Sequence, residues 1–433
     1  MPGTVTQRIW QHNPEIHAPA KYKRACNYDV FVPDKLMDMP LSLDATVAGV
    51  VSEAENAIRS LNETAGPMLA PLARLLLRTE SIASSKVEGM QLGVRELARA
   101  EAKVESGQNA SATAMEVLGN IDAMVLAVDN AALVERFDVS QITAIHQRLM
   151  EPSENKRIAG RLRTRQNWIG GNDHNPCGAD FVPPPPEAVD GLMADLCEAI
   201  NDDRLPPLVQ AAMIHAQFET IHPFDDGNGR TGRALIHVVL RRREIAPRYL
   251  PPISVLLAAA KGRYIEGLTN FRGNDVGKWI EHFATASARA AYLAKAYLTA
   301  VDALTTEWRE SLSNSIASPR ADAAAWALID ALPAHPMITA PVATAATGRA
   351  KAAIYDAIEQ LQTAGVLIPL SQTRRNQSWE AVGLLDLIAG IESGQLPANI
   401  SSLSHSSSAH THHISRTSIA APTATTPSKN SPA

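Results

Sequence analysis

Apolar residues recur at helical spacing through Leu208-Val209-Gln210-Ala211-Ala212-Met213-Ile214-His215-Ala216-Gln217-Phe218 and again through Ala234-Leu235-Ile236-His237-Val238-Val239-Leu240. Between these runs stands Ile221-His222-Pro223-Phe224-Asp225-Asp226-Gly227-Asn228-Gly229-Arg230-Thr231-Gly232-Arg233, which is polar and rich in glycine. The pattern predicts a helix, a turn closed by Gly-Asn-Gly, and a second helix starting close to the glycines. Such a helix start presents unpaired backbone N–H groups and the positive end of a dipole. That is an anion site, and phosphate is its usual occupant.

The same periodicity predicts helices over 45–61, 67–85, 92–126 with a break at Gly107-Gln108-Asn109, 139–150 with Ser140 as N-cap, 184–201, 253–260, 264–270 and 276–297. Gly89 reads as the stop of the second of these. Residues before about 44 read as an extended lead-in, since Pro33 and Pro40 interrupt any helix. Two short extended segments, 161–171 and 180–182, flank an Asn/Pro/Gly-rich loop and predict a β-hairpin. Pro183–Pro186 orients the exit from it. Beyond Pro319 come three helices, 321–332, 340–346 and 349–364, then two strands, 366–370 and 377–382, around the polar turn 371–376. The stretch from about 397 to 433 is rich in Ser, Thr, Ala and Pro and reads as disordered, and its histidines as solvated.

The turn also carries chemistry. His222 has an unperturbed pKa near neutrality and suits a general base. Asp226 offers one carboxylate at the edge of the anion site, which suits Mg2+ already bound to nucleotide phosphates. Asn228, Arg230 and Arg233 supply donors around it. Taken singly, each piece reads as structural. Together, a base, a metal carboxylate, a phosphate cradle and two arginines describe phosphoryl or nucleotidyl transfer. His146 and His215 lie in helical phase with apolar neighbours and are read as structural.

The segment His222–Arg233 resembles the signature of the Fic family, histidine-x-Phe-x-acid-Gly-Asn-Gly-Arg-x-x-Arg, with every specified position met. The resemblance implies a Fic-type helical core and transfer of AMP from ATP to a Tyr, Thr or Ser hydroxyl of a target protein. It makes His222 the base and Asp226 the Mg2+ ligand. Gly227, Asn228, Gly229, Arg230, Thr231, Gly232 and Arg233 become the nucleotide-binding residues, with Tyr264 as an aromatic neighbour of the nucleotide. Ser84-Ser85-Lys86-Val87-Glu88-Gly89 resembles the family's inhibitory motif, in which the Glu pairs with the last signature Arg. Glu88 would then pair with Arg233, supported by Ser84 and ending at Gly89, and inhibit in cis. Asn167, Trp168, Ile169, Gly170 and Gly171 resemble the family's flap, which pairs with the target. In the family the inhibitory Glu can instead align a water, so removal of AMP stays open as an alternative. A nucleotide-sensing DNA-binding regulator is the second alternative.

Composition narrows little further. The chain has 433 residues, 45% hydrophobic and 20% charged, with a net charge of −5 that gives no overall pull towards nucleic acid or acidic membranes. The three cysteines, Cys26, Cys177 and Cys197, are far apart, which argues against a disulfide framework and fits a reducing cytoplasm. No apolar run approaches membrane-spanning length, and the first residues lack the pattern of a signal peptide. The expected organisation is mainly α. An N-terminal helical region with the inhibitory motif (1–110) precedes a catalytic core with a β-hairpin flap (111–300). A linker (301–320), a winged-helix-like domain (321–393) and a disordered tail (394–433) follow. Expected partners are the target protein and a second copy in a homodimer. The segment 321–393 is read first as a dimerisation or docking module and second as a DNA binder through Arg349, Lys351, Arg374 and Arg375.

Overall fold

The computed structural model describes residues 3–63, 70–105, 107–273, 275–316, 319–370 and 377–397. The fold is mainly helical. Strands β1 (Gly3–Trp10) and β2 (Cys26–Pro33) open it as an antiparallel hairpin, with Gly3 opposite Pro33 and Trp10 opposite Cys26. Five helices follow: α1 (Ala45–Glu63), α2 (Ala70–Val87), α3 (Val94–Glu105), α4 (Ala112–Asp129) and α5 (Val139–Met150). The next six are α6 (Pro186–Asn201), α7 (Pro207–Ile221), α8 (Asn228–Arg242), α9 (Ile253–Ala259), α10 (Lys261–Arg272) and α11 (Val276–Ser313).

Helix α7 is buried at every position from Leu208 to Ile221, and α8 is buried almost as fully. A helix without a solvent face belongs at the centre of a domain, and these two form the core's axis. Around them α1 packs along α11, α2 lies against α4 and α9, and α6 lies against α7. Helix α5 is capped by Asp138 and not by Ser140. The Asp138 carboxylate accepts from the Ser140 N–H, and the Gln141 side chain caps the Asp138 N–H in return.

Helix α2 is anchored by polar groups as well as apolar ones. Glu80 is fully buried and accepts from the Ser254 N–H at 2.8 Å and from its hydroxyl, with His237 Nε2 3.0 Å away. Asn120 donates to the Ser81 carbonyl and the Ser85 hydroxyl. These bonds tie α2 to α4 and α9 at the heart of the core, with His237 of α8 packed against Glu80.

The C-terminal part comprises α12 (Ala324–Ala331), β3 (Met337–Thr339), α13 (Ala340–Thr347), α14 (Lys351–Thr363), β4 (Leu367–Pro369), β5 (Ser378–Ala381) and α15 (Leu384–Glu392). Its sheet runs β3-β5-β4, all antiparallel, so a third strand joins the two expected from sequence. The polar turn 371–376, with Arg374 and Arg375, lies outside the described residues, as does the tail. The stretch expected as a linker from residue 301 is helical to Ser313, because Val301, Leu304, Trp308 and Leu312 continue the buried stripe of α11. Arg95 of α3 bridges Glu380 and Asp386, joining this part to the N-terminal helices.

The lead-in expected before residue 44 is a formed hairpin, and the cysteine reading is corrected with it. Cys26 and Cys177 form a disulfide with Cα atoms 6.1 Å apart. They are 151 residues apart in sequence, so spacing carried no sign of the pairing; the folding of the hairpin onto the loop 172–178 creates it. Cys197 is free and buried. Among the described residues no helix is long and apolar enough to cross a membrane.

Candidate active site

Helix α7 ends where His222 takes up a left-handed conformation, φ 49°. For a residue other than glycine this conformation is costly and persists only where the surroundings hold it. Arg163 and Asn167 do so. Arg163 Nε donates to the His222 carbonyl at 2.8 Å, and its other nitrogens donate to the carbonyls of Ile221, Arg165 and Pro184. Asn167 Nδ2 donates to the carbonyls of His222 and Phe224 at 3.1 and 3.0 Å. A buried guanidinium thus caps the negative end of α7 and fixes the backbone that carries the histidine.

The turn that follows is closed by its own side chains. Asn228 Oδ1 accepts from the Phe224 N–H at 2.9 Å, and Nδ2 donates back to the Phe224 carbonyl at 2.8 Å. Its amide oxygen and one amide N–H are therefore spent on the turn. Gly227, at φ 77°, begins α8. The Phe224 ring stacks on His146 at 3.7 Å. His146 Nδ1 accepts from the Gly160 N–H, so its Nε2 carries the proton and donates to the Asp226 carbonyl at 2.9 Å. Burial lowers the His146 pKa to about 4 and keeps the ring neutral, in the structural role expected of it.

A cleft of 1160 Å³ opens beside the turn. His222, Gly229, Arg233, Glu88, Glu219, Tyr264, Lys261 and Arg272 line its interior. The flap residues Trp168, Ile169, Phe181 and Val182 form one wall, and Val5, Tyr28 and Phe31 of the N-terminal hairpin form another. The flap is held by one β-bridge, Ile169 to Phe181, and by the close fit of its glycines. A side chain on Gly170, at φ 74°, would meet Asp180 Oδ2 at 2.0 Å. Behind it, the Phe31 N–H donates to the Val182 carbonyl, and Trp10 packs edge-on to Trp168. The flap is thus the inner rung of a ribbon continued by β2 and β1.

Burial holds His222 neutral, with a pKa of about 4; the Arg163 charge adds to the effect and the Glu219 carbonyl opposes it. A neutral imidazole at neutral pH is a base ready to accept a proton. Tyr264 lines the cleft with its hydroxyl 2.9 Å from His215 Nε2. His215 is wholly buried and neutral, at about 3, as expected of a core residue.

Glu88 reaches the site from the end of α2. Its Oε1 accepts from Arg233 at 2.7 Å, while Arg233 also donates to the Ser84 hydroxyl at 2.9 Å and carbonyl at 2.8 Å. The carboxylate lies directly over the turn, since a side chain on Gly229 would stand 2.0 Å from Oε1. Gly89, at φ 85°, ends the helix, and Lys261 Nζ ties the Val87 carbonyl. Burial would push the Glu88 carboxyl up, but Arg233 outweighs it and holds the group below the usual range. A depressed pKa means the contact is present above the ordinary carboxylate range and is lost only as pH falls through the lowered value.

Of the signature residues only His222, Gly229 and Arg233 line the cleft, and the others are placed differently. Arg230 is buried beneath the cleft against Glu116, at 3.7 Å, Met90 and Met150, and is not among the lining residues. Thr231 is buried within α8. Asp226 is exposed at the turn, with Oδ1 accepting from the Gly227 N–H. Its second oxygen suits a cation that arrives on nucleotide phosphates and needs only one or two protein carboxylates. Among the described residues no group of three His, Cys, Asp or Glu forms a dedicated metal cage. Sequence reasoning missed Arg163, Glu219, Lys261 and Arg272 and the wall made by the hairpin. Arg163 gave no local signal, since it stands among other arginines.

Residues 136–240 match the model of the Fic/DOC family, and residues 49–129 match that of the Fic/DOC family N-terminal region. The protein adenylyltransferase fic-1 of Caenorhabditis briggsae is 26% identical over 260 residues, which is 55% of this chain and 47% of that protein. The protein adenylyltransferase Fic of Nematostella vectensis is 31% identical over 194 residues, 41% of this chain and 40% of that protein. The chain spans less than half the length of these curated relatives. Among solved structures, a Fic family protein from Desulfovibrio desulfuricans G20 aligns with a TM-score of 0.48 at 21% identity, covering 79% of this chain and 98% of that one.

Proposed function

We propose that this chain, whose residues 49–129 and 136–240 match the Fic/DOC family models, is a protein adenylyltransferase restrained in cis by Glu88. One observation carries the reading. A neutral His222 stands at an anion-binding turn whose Arg233 is already engaged by a carboxylate from another helix.

In this reading the N-terminus of α8 and the turn 227–229 hold the α- and β-phosphates of ATP. The target's hydroxyl oxygen attacks the α-phosphorus, His222 takes the hydroxyl proton, and the bond to the β-phosphate breaks with its electron pair leaving on pyrophosphate. Arg233, once free of Glu88, neutralises charge on the departing side. Asp226 would hold Mg2+, which when bound supplies further neutralisation of phosphate charge. The flap would pair with an extended target segment through backbone groups other than those of Ile169, whose N–H and carbonyl are spent on Phe181 and Asp180. Glu88 over Gly229 excludes a productive γ-phosphate by charge and by occupancy. ATP labelled on the α-phosphate should mark protein and γ-labelled ATP should not; γ-label on protein would overturn the reading in favour of a kinase.

The pH dependence follows from His222. Because its folded pKa is about 4, the base is deprotonated across the neutral range. The kcat/KM of the Glu88→Gly chain should show no acid limb near 6.5, the limb lying instead close to 4. An inflection between 6 and 7 removed by substituting His222 would contradict this.

We also read residues 321–393 as a winged-helix-like docking module, supported by helices α12, α13 and α14 and the sheet β3-β5-β4. Its third helix carries Asp356 and Glu359 beside Lys351, a thin basic face for phosphates. The full chain is therefore expected to show no salt-sensitive binding to duplex DNA between 50 and about 200 mM salt, over which a protein with several phosphate contacts loses affinity steeply. A steep loss measured by fluorescence anisotropy would reverse that assignment.

A further inference from the structure

The cleft carries its two signs of charge on different elements. Its cations, Arg233, Lys261 and Arg272, come from α8 and α10. Strand β2 and the flap contribute Asp29 and Asp180, both exposed and both lining the cleft. Among the described residues neither carboxylate takes part in an ion pair or a side-chain hydrogen bond. Arg272 does not neutralise Asp180; it is laid over the ring of the next residue, Phe181, 4.1 Å from the centroid. Free carboxylates at the mouth of a cleft set the sign of what enters there.

Apolar side chains gather at the same mouth. Val5 of β1, Ile169 of the flap and Ile265 of α10 are left 63%, 37% and 50% exposed, and all three line the cleft. Val5 stands directly across from Phe31 in the hairpin register, and Asp29, two residues before Phe31, shares that face of the sheet. The Phe31 ring lies 6.1 Å from that of Phe181. Large apolar side chains left uncovered around a cleft mark a surface that a partner covers.

The partner's chemistry follows from the charges. A nucleoside triphosphate is repelled by carboxylates, so its phosphates belong to the start of α8 and to the cations. What suits the hairpin and the flap is an occupant both apolar and positively charged. We propose that the β1–β2 face and the flap are the docking surface for the target protein, and that it takes a segment in which Lys or Arg and a large apolar residue flank the acceptor hydroxyl. The apolar side chain lies against Val5, Phe31 and Ile265, and the cation against Asp29 and Asp180. The assignment rests on the adenylyltransferase reading of this cleft and adds to it the kind of target sequence that is modified.

The test uses the full chain carrying Glu88→Gly, ATP labelled on the α-phosphate, and synthetic peptides with one central Tyr, Thr or Ser. The residues flanking it are Lys and Leu, Asp and Leu, or Lys and Gly. At low salt, kcat/KM for the Lys–Leu peptides exceeds that for the Asp–Leu peptides by about tenfold, the scale of weak surface attraction replaced by repulsion at both carboxylates, and the gap narrows as salt is raised. Adding Asp29→Asn with Asp180→Asn closes the gap and leaves ATP affinity unchanged, while Asp29→Lys with Asp180→Lys inverts it. Ile265→Ser removes the preference for Leu over Gly and keeps that for Lys over Asp. A charge preference that survives both pairs of substitutions overturns the assignment, as does labelling that ignores the flanking residues. Loss of ATP affinity in the Asn pair also overturns it, by placing these carboxylates with the nucleotide. In each of those cases the peptides still receive AMP and the adenylyltransferase reading stands. Label on the chain alone, with none on any peptide, replaces the target by the chain itself as occupant. No α-label anywhere sinks the adenylyltransferase reading and the docking surface together.

Discussion

Replacing His222 by Ala lowers AMP transfer by about 10²–10⁴-fold, the usual contribution of a positioned general base, while ATP binding stays close to that of the parent chain. The separation is expected because the proposed phosphate site is the start of α8 and not the imidazole. The backbone complicates the reading in a way that can be controlled. His222 sits at φ 49°, and an alanine there costs about 1 kcal/mol against a relaxed conformation. Asn adopts the left-handed region readily, so His222→Asn keeps the turn and still lacks a base with the right pKa. Transfer of α-label, nucleotide affinity and thermal unfolding of both variants decide the matter. If both lose nucleotide affinity as much as transfer, His222 is a structural corner of the turn.

Glu88→Gly raises transfer in the opposite direction, by about tenfold or more, the scale of a hydrogen bond to a charged group. The substitution removes the carboxylate 2.7 Å from Arg233 and clears the space over Gly229. It costs little stability, because Glu88 is 37% exposed and lies past the last residue of α2. The Ser84 hydroxyl and carbonyl still orient Arg233 afterwards, so the guanidinium remains aimed at the cleft. Time courses of α-label incorporation with and without the change measure the effect. An unchanged rate would mean that the contact is a salt link of the fold and no restraint on chemistry; a rise in release of AMP from modified protein would favour the opposite reaction.

The helix-turn-helix around the signature was legible because its information is local. Apolar spacing sets α7 and α8, and Gly227 is needed where the backbone turns left-handed. The pairing of Glu88 with Arg233 spans 145 residues and was reached through family resemblance, which physics alone could not have supplied from the sequence. What stayed hidden is long-range or depends on direction. Arg163 reads as one of several arginines in a polar stretch, and nothing local says that it folds inward onto four carbonyls, two of them at the end of α7. Asn228 and Arg230 look like phosphate donors in the pattern, yet one closes the turn on Phe224 and the other turns beneath it to Glu116. The β1–β2 hairpin was missed as a strand pair because its long connection carries no tight-turn signal. The Cys26–Cys177 bond went unseen for the same reason.

The cleft draws its walls from Val5 near one end and from Gly273 far along the chain, with α2, the flap and the signature between. Each wall is a partner in sequence only to itself. Closing loops of such length is entropically slow, so the helical axis of α7 and α8 has to form before the hairpin has a surface to dock on. The signature turn is therefore local in sequence, whereas the cleft needs every one of its distant walls in place. A nascent or clipped chain that already possesses His222 and Arg233 still lacks a place to hold a nucleotide against a target. Competence for chemistry arrives only with the completed fold, which separates possession of the catalytic residues from the capacity to use them.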